Sequence, residues 1–153
     1  MQLIIMRHGE AGSHSIDSQR ELTLRGIEEV QKSAHELFKF NIQPAAIWAS
    51  PYLRARQTAS VASEILSAPI LTQNDLTPDS SPKALLKALE GHTATSPLML
   101  VSHMPFVAAL TALLVDDNPL AQYPFATAQV RILDLSWPAA GCGMLIKELP
   151  AVS

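Results

Sequence analysis

One cysteine in 153 residues leaves Cys142 without an internal partner, so the sequence has no intramolecular disulfide and fits a reducing compartment. Lys147 and Glu148 stand where a Cys-x5-Arg nucleophile loop needs its arginine. HExxH and paired-cysteine motifs are missing, as are the Walker loop, the dinucleotide GxGxxG and the GxSxG serine elbow. No metal and no cofactor is therefore expected. Charged residues make up only 16%, with a net charge of −3, which excludes the basic footprint of a nucleic-acid binder. The longest apolar run, Met104 to Val115, falls well short of the ~20 residues that span a bilayer. Met1 to Met6 is too short for a signal-peptide core. A cytoplasmic protein without membrane contact is the expectation. Repeats, low-complexity tracts and long Pro/Gly/Ser linkers are also missing, so residues 1–153 read as one domain.

What is present is a strand–helix alternation. Gln2 to Met6, Ala45 to Ala49 and Leu98 to Val101 are short apolar runs of the buried-strand kind. Thr23 to Phe40 places Ile27, Val30, Ala34, Leu37 and Phe38 at helical spacing, with Thr23 as N-cap. Ser50-Pro51 predicts a capped helix running to about Ser67. Pro69 to Thr72 reads as a strand, Pro82 to Leu89 as a helix, and "SHMP" opens another helix to Leu114. Ala128 to Leu135 and Met144 to Leu149 form a final antiparallel pair, and Trp48 and Trp137 are core residues. The pattern predicts a three-layer α/β/α sandwich with a mostly parallel sheet.

In such sheets, ligands sit beyond the carboxyl ends of the strands. Three strand ends carry unusual residues. The first delivers Arg7-His8-Gly9, the second "SPYLRARQTA" with Arg54 in the first turn of a helix, and the third Ser102-His103. Residues 1 to 56 hold seven Lys/Arg against six Asp/Glu, whereas 57 to 153 hold four against eight, so the cations gather in this first third. Arginines supply forked donors for phosphate oxygens, helix N-termini favour anions, and a neutral imidazole is a nucleophile. Gly9 allows a sharp turn and close approach to a ligand. Together these parts suit binding and attack of a phosphoryl group.

The order "MRHGEA", "DSQRELTLRG", "SPYLRARQTA", "LVSHMP" resembles the histidine phosphatase superfamily, also called the phosphoglycerate-mutase-like or RHG family. Within it, the sequence is similar to the small SixA-type phosphohistidine phosphatases. That resemblance implies His8 as the phosphate-accepting nucleophile, with Arg7, Arg54 and His103 completing the pocket. It also implies Arg20, in the "DSxR" pattern with Asp17, as a further phosphate or partner contact. The competing reading of Asp17 and Arg20 is a surface ion pair. Larger relatives carry a helical insertion over the pocket with an acid for the leaving oxygen. Only 37 residues separate Thr58 from Ser96, which leaves little room for such a lid. Glu10 and Asp75 are the remaining candidates for a general acid, and Thr127 is a candidate at the pocket edge or a plain strand-start residue.

An alkoxide needs a proton as it leaves. A phosphorylated imidazole protonated on its other nitrogen leaves with less help, and an open pocket admits a side chain on a protein surface. The implied substrate is a phosphohistidine-bearing protein, a phosphorelay carrier or a phosphotransferase-system protein. The open site predicts a monomer. Two alternatives stand beside it: a general phosphomonoesterase for small phosphates or phosphoserine, and a non-catalytic phosphate-recognition module. His14, His35 and His92 read as surface residues.

Overall fold

The computed structural model describes residues 1–150. Its single sheet has six strands: β1 (Gln2–Arg7), β2 (Ala46–Ala49), β3 (Ile70–Thr72), β4 (Leu98–Ser102), β5 (Val130–Leu135) and β6 (Gly143–Leu149). Their order across the sheet is β3-β2-β4-β1-β5-β6. The first four strands in sequence run parallel, whereas β5 is antiparallel to both β1 and β6. Helices α1 (Leu24–Lys39), α2 (Leu53–Leu66), α3 (Pro82–Glu90) and α4 (Phe106–Asp116) complete the expected three layers.

The period-2 alternation of β1 decides which face each side chain serves. Ile4 and Met6 point into one core with Val30, Ala34 and Leu37 of α1 and Ala55, Ala59 and Ala62 of α2. Leu3 and Ile5 point into the other, against Leu85 and Leu89 of α3 and Phe106, Val107, Leu110 and Leu114 of α4. Both faces are covered, so the central strands can be apolar without alternation. Thr23 caps α1 as expected, its hydroxyl accepting from Gly26 N.

Three expectations need correction. Helix α2 starts at Leu53, because Tyr52 is still extended (φ −65°, ψ 139°). The Ser50 hydroxyl does accept from Tyr52 N (3.2 Å), but that bond closes a turn ahead of the helix and not its first turn. Phe38 is 60% exposed, since the apolar stripe of α1 runs through Val30, Ala34 and Leu37 and leaves it on the flank. Trp137 is 52% exposed in the β5–β6 connection, where Pro138 takes the buried place.

Candidate active site

Inserting β4 between β1 and β2 brings three sequence-distant strand ends side by side. His8 N donates to Ser102 O (2.9 Å), and Ser50 N donates to Val101 O (3.1 Å). The ends of β1, β4 and β2 are thereby locked at one level, and each delivers a candidate residue. His8, Arg54 and His103 are all buried, with Arg7 half-buried beside them.

The His8 ring is oriented by its own chain. Nδ1 lies 2.7 Å from Gly9 O, and because a carbonyl only accepts, Nδ1 carries the proton. Nε2 then holds a lone pair, which accepts from Arg54 Nε at 3.3 Å. Burial pulls His8 down to about 4, the Gly9 bond opposing and the Arg54, Arg7 and Arg20 charges adding to the fall. Burial likewise pulls His103 down to about 3, with His8 and Arg54 contributing. Both rings are neutral near pH 7 in this pocket. Their centroids stand 5.1 Å apart.

Gly9 also has a packing role that the sequence did not show. Its φ is not in the left-handed region. A Cβ there would stand 2.6 Å from Gly26 O and 2.9 Å from Val30 Cγ2. The glycine is required because the loop after β1 lies directly on the first turn of α1. Gly9 N donates to Thr58 Oγ1 (3.1 Å), and that hydroxyl donates to Arg54 O (2.8 Å), which ties the loop to α2.

The two arginines are held from outside the pocket. Arg7 Nη1 donates to Phe125 O (2.8 Å), while its Nε is buried with no hydrogen-bond partner among the described residues. Arg54 Nη1 donates to Asp17 O (2.7 Å) and Nη2 to Asp17 Oδ2 (3.2 Å). Arg20 stands near enough to influence His8, but its donors go to Gly12 O (2.7 Å), Ala11 O (3.5 Å) and Asp17 Oδ1 (3.3 Å). In this conformation it clasps the 11–20 loop.

The candidate acids are placed as follows. Glu10 accepts from Thr23 Oγ1 (3.0 Å) and stands 3.7 Å from Arg25, so its carboxylate faces α1. Asp75 lies half-buried on the one-turn helix Asn74–Leu76, pinned to the end of β4 by Ser102 Oγ donating to Leu76 O (2.6 Å). Thr127 donates to both oxygens of Glu29 (2.9 and 3.0 Å), and Glu29 also accepts from Glu10 N (2.9 Å).

Several contributors escaped the sequence reading. Ser50, read only as a cap, is fully buried and pairs with His103 Nε2 at 2.8 Å. Tyr52 lies 5.1 Å from the Arg54 guanidinium and 5.1 Å from the His103 ring. The signal for both was their place in "SPYLR", directly after a buried strand. Glu29 and the Phe125 carbonyl had no local signal. Among the described residues, no group of three or more His, Cys, Asp or Glu side chains is arranged to hold a metal. No helix among them is long and apolar enough to cross a membrane.

Comparison with known proteins places this geometry. A family model for the histidine phosphatase superfamily (branch 1) matches residues 3–77, which include Arg7, His8 and Arg54 and stop before His103. Phosphohistidine phosphatase SixA of Escherichia coli (strain K12) is 33% identical over 120 residues, 73% of this chain and 73% of that one. The structure of the protein histidine phosphatase SixA complexed with tungstate superposes with a TM-score of 0.89 at 28% identity, covering 97% of this chain and 96% of the other. A putative alpha-ribazole-5'-P phosphatase from Escherichia coli shares the fold, with a TM-score of 0.79 at 17% identity over 95% of each chain. With a relative 33% identical across nearly three quarters of both chains and one α/β/α architecture throughout, this chain belongs to the histidine phosphatase superfamily and is a phosphatase.

Proposed function

We propose that this phosphatase removes phosphate from phosphohistidine on a partner protein through a transient phospho-His8. The observation that carries the reading is the His8 ring itself. Its Nδ1–H is committed to Gly9 O, and its Nε2 lone pair faces a guanidinium in a buried, neutral state. That is the condition of a nitrogen nucleophile held in front of an anion site.

The first step forms a bond from His8 Nε2 to phosphorus and breaks the bond from phosphorus to the substrate's imidazole nitrogen. A substrate ring protonated on its other nitrogen departs as neutral imidazole. Arg7, Arg54 and His103 stabilise the equatorial oxygens. Water then attacks phosphorus, the bond to Nε2 breaks, and His8 returns to neutral imidazole with phosphate released.

Phosphohistidine is favoured over an ester because of what surrounds the pocket. Only nine residues, 73–81, join β3 to α3, in place of a lid. Glu10 is turned to α1, so a strongly basic alkoxide would lack a committed proton donor there. The SixA relatives bear the phosphohistidine phosphatase name, and one is bound to tungstate, a tetrahedral oxyanion like phosphate. A phosphorelay carrier or a phosphotransferase-system protein, in a cytoplasmic signalling setting and met by a monomer, is the partner class proposed.

The test mixes the protein with a histidine-phosphorylated carrier domain, quenches within milliseconds and locates phosphate by mass spectrometry. Expected is loss from the carrier with an acid-labile label on His8, and neither with His8→Ala. Equal turnover of a phosphoserine peptide would replace the reading with a general phosphomonoesterase. Tight binding without turnover of any substrate would replace it with a recognition module.

A further inference from the structure

The pair Asp17 and Arg20 reads in the sequence as an exposed ion pair, the kind that contributes little to stability. The fold gives Asp17 a second partner. Arg54 Nη1 donates to its main-chain oxygen and Nη2 to its carboxylate, at 2.7 and 3.2 Å. The Arg54 side chain is 5% exposed and that of Asp17 60% exposed. A buried cation of the pocket is thus gripped by a residue on the surface.

The grip has a direction. A guanidinium presents two edges with forked donors, its terminal edge across Nη1 and Nη2 and its side edge beginning at Nε. Asp17 takes the terminal edge, and the side edge is left facing His8, with Nε 3.3 Å from His8 Nε2. Tyr52 lies 5.1 Å from the guanidinium carbon, a cation–π contact that supplies no hydrogen bond to set the guanidinium's rotation. Arg20 holds the other carboxylate oxygen at 3.3 Å while its Nε is tied to Gly12 O, which steadies the loop that carries Asp17. The Asp17 carboxyl, although desolvation pushes it up, is held below its ordinary value by the hydrogen bonds and charges of Arg20 and Arg54. It is suited to accept rather than to donate a proton.

We infer that Asp17 is a positioning residue for the reaction: it holds the terminal edge of Arg54 so that the side edge faces the phosphoryl group at His8. The inference rests on the proposal that His8 accepts that group. Because Asp17 is an exposed anion near an anionic substrate, it adds nothing to substrate affinity. Loss of its carboxylate, which leaves Nη1 alone on the main-chain oxygen and frees the guanidinium to swing, therefore lowers kcat without raising KM.

The experiment compares Asp17→Ala and Asp17→Asn with the parent protein in steady-state hydrolysis of a histidine-phosphorylated carrier domain. It also follows the Arg54 Nε–H signal by ¹⁵N NMR, assigned by its loss in Arg54→Lys. Expected for Asp17→Ala is a kcat lower by about tenfold, the order for a group displaced by a fraction of an ångström. KM should be unchanged or lower, the protein folded with a small drop in its unfolding midpoint, and the Arg54 signal exchange-broadened. Asp17→Asn, which keeps an acceptor oxygen, should recover most of the rate and the sharp signal. Parental kcat in Asp17→Ala, or a loss expressed only as a higher KM, would overturn the inference. The NMR arm needs no turnover: a signal indifferent to Asp17→Ala also overturns it. A signal that responds while the parent protein hydrolyses nothing upholds the placement of Arg54 and counts against the phosphatase substrate instead.

Discussion

Gly26 lies inside α1, where alanine would normally be the better residue by about 1 kcal/mol. The tertiary structure reverses that preference. A Cβ on Gly26 would stand 2.1 Å from Glu10 O and 2.9 Å from Glu10 N. Carbon–oxygen contacts are comfortable from about 3.3 Å, so the loop after β1 would have to retreat by roughly 1 Å. Backbone meeting backbone has no rotamer through which to relax. Gly26→Ala should therefore destabilise by about 3 kcal/mol despite its better helix propensity. Glu10 is two residues from His8, so the same retreat displaces the nucleophile, and a misplacement near 1 Å costs about a hundredfold in rate. Urea denaturation and kcat on the same preparations measure both effects. Gly91→Ala is the control: that glycine has φ −80° and open space around its Cβ, so the variant should be neutral or up to about 1 kcal/mol more stable. A Gly26→Ala protein as stable as its parent would refute the close crossing of α1 over the RHG loop.

The buried neutral histidines make two further effects measurable. His8 binds a proton at about 4 when folded and near 6.5 when unfolded, so the unfolded state takes up protons first as pH falls. Its contribution is fully present above pH 6.5 and is lost progressively toward pH 4, with about 2 kcal/mol gone by pH 5. Denaturant titrations at pH 7 and pH 5 should show a shallower acid loss in His8→Gln, and identical slopes would contradict the neutral buried ring. Ser50→Ala removes the buried partner of His103 Nε2 and should cost about 1–2 kcal/mol in stability together with a fall in kcat. Unaltered turnover in a folded Ser50→Ala protein would show that His103 needs no such support.

The readable parts of this protein were those with a local cause. Four consecutive buried residues before Arg7 marked a central strand, and the stripe of Val30, Ala34 and Leu37 marked a helix lying on it. Ser50-Pro51 marked the turn that leads into the helix but not its second use: the same hydroxyl accepts from Tyr52 N and pairs with His103 Nε2, and only the approach of β4 brings that imidazole to it. Phe38 and Trp137 misled because helical spacing and ring size say that a side chain can be buried without saying that a neighbour arrives to bury it.

By itself, the order of residues determined that Arg7, His8, Arg54 and His103 stand at strand ends and helix starts, since period-2 and period-3.6 patterns act over a few residues. Only the tertiary structure decided which of their atoms face one another. His103 Nε2 meets Ser50 Oγ at 2.8 Å because the end of β4 lies beside the end of β2. Arg54 shows its side edge to His8 because Asp17, 37 residues earlier, holds the other edge. Such contacts depend on β4 entering between β1 and β2, and long-range closure of that kind leaves no mark in local periodicity.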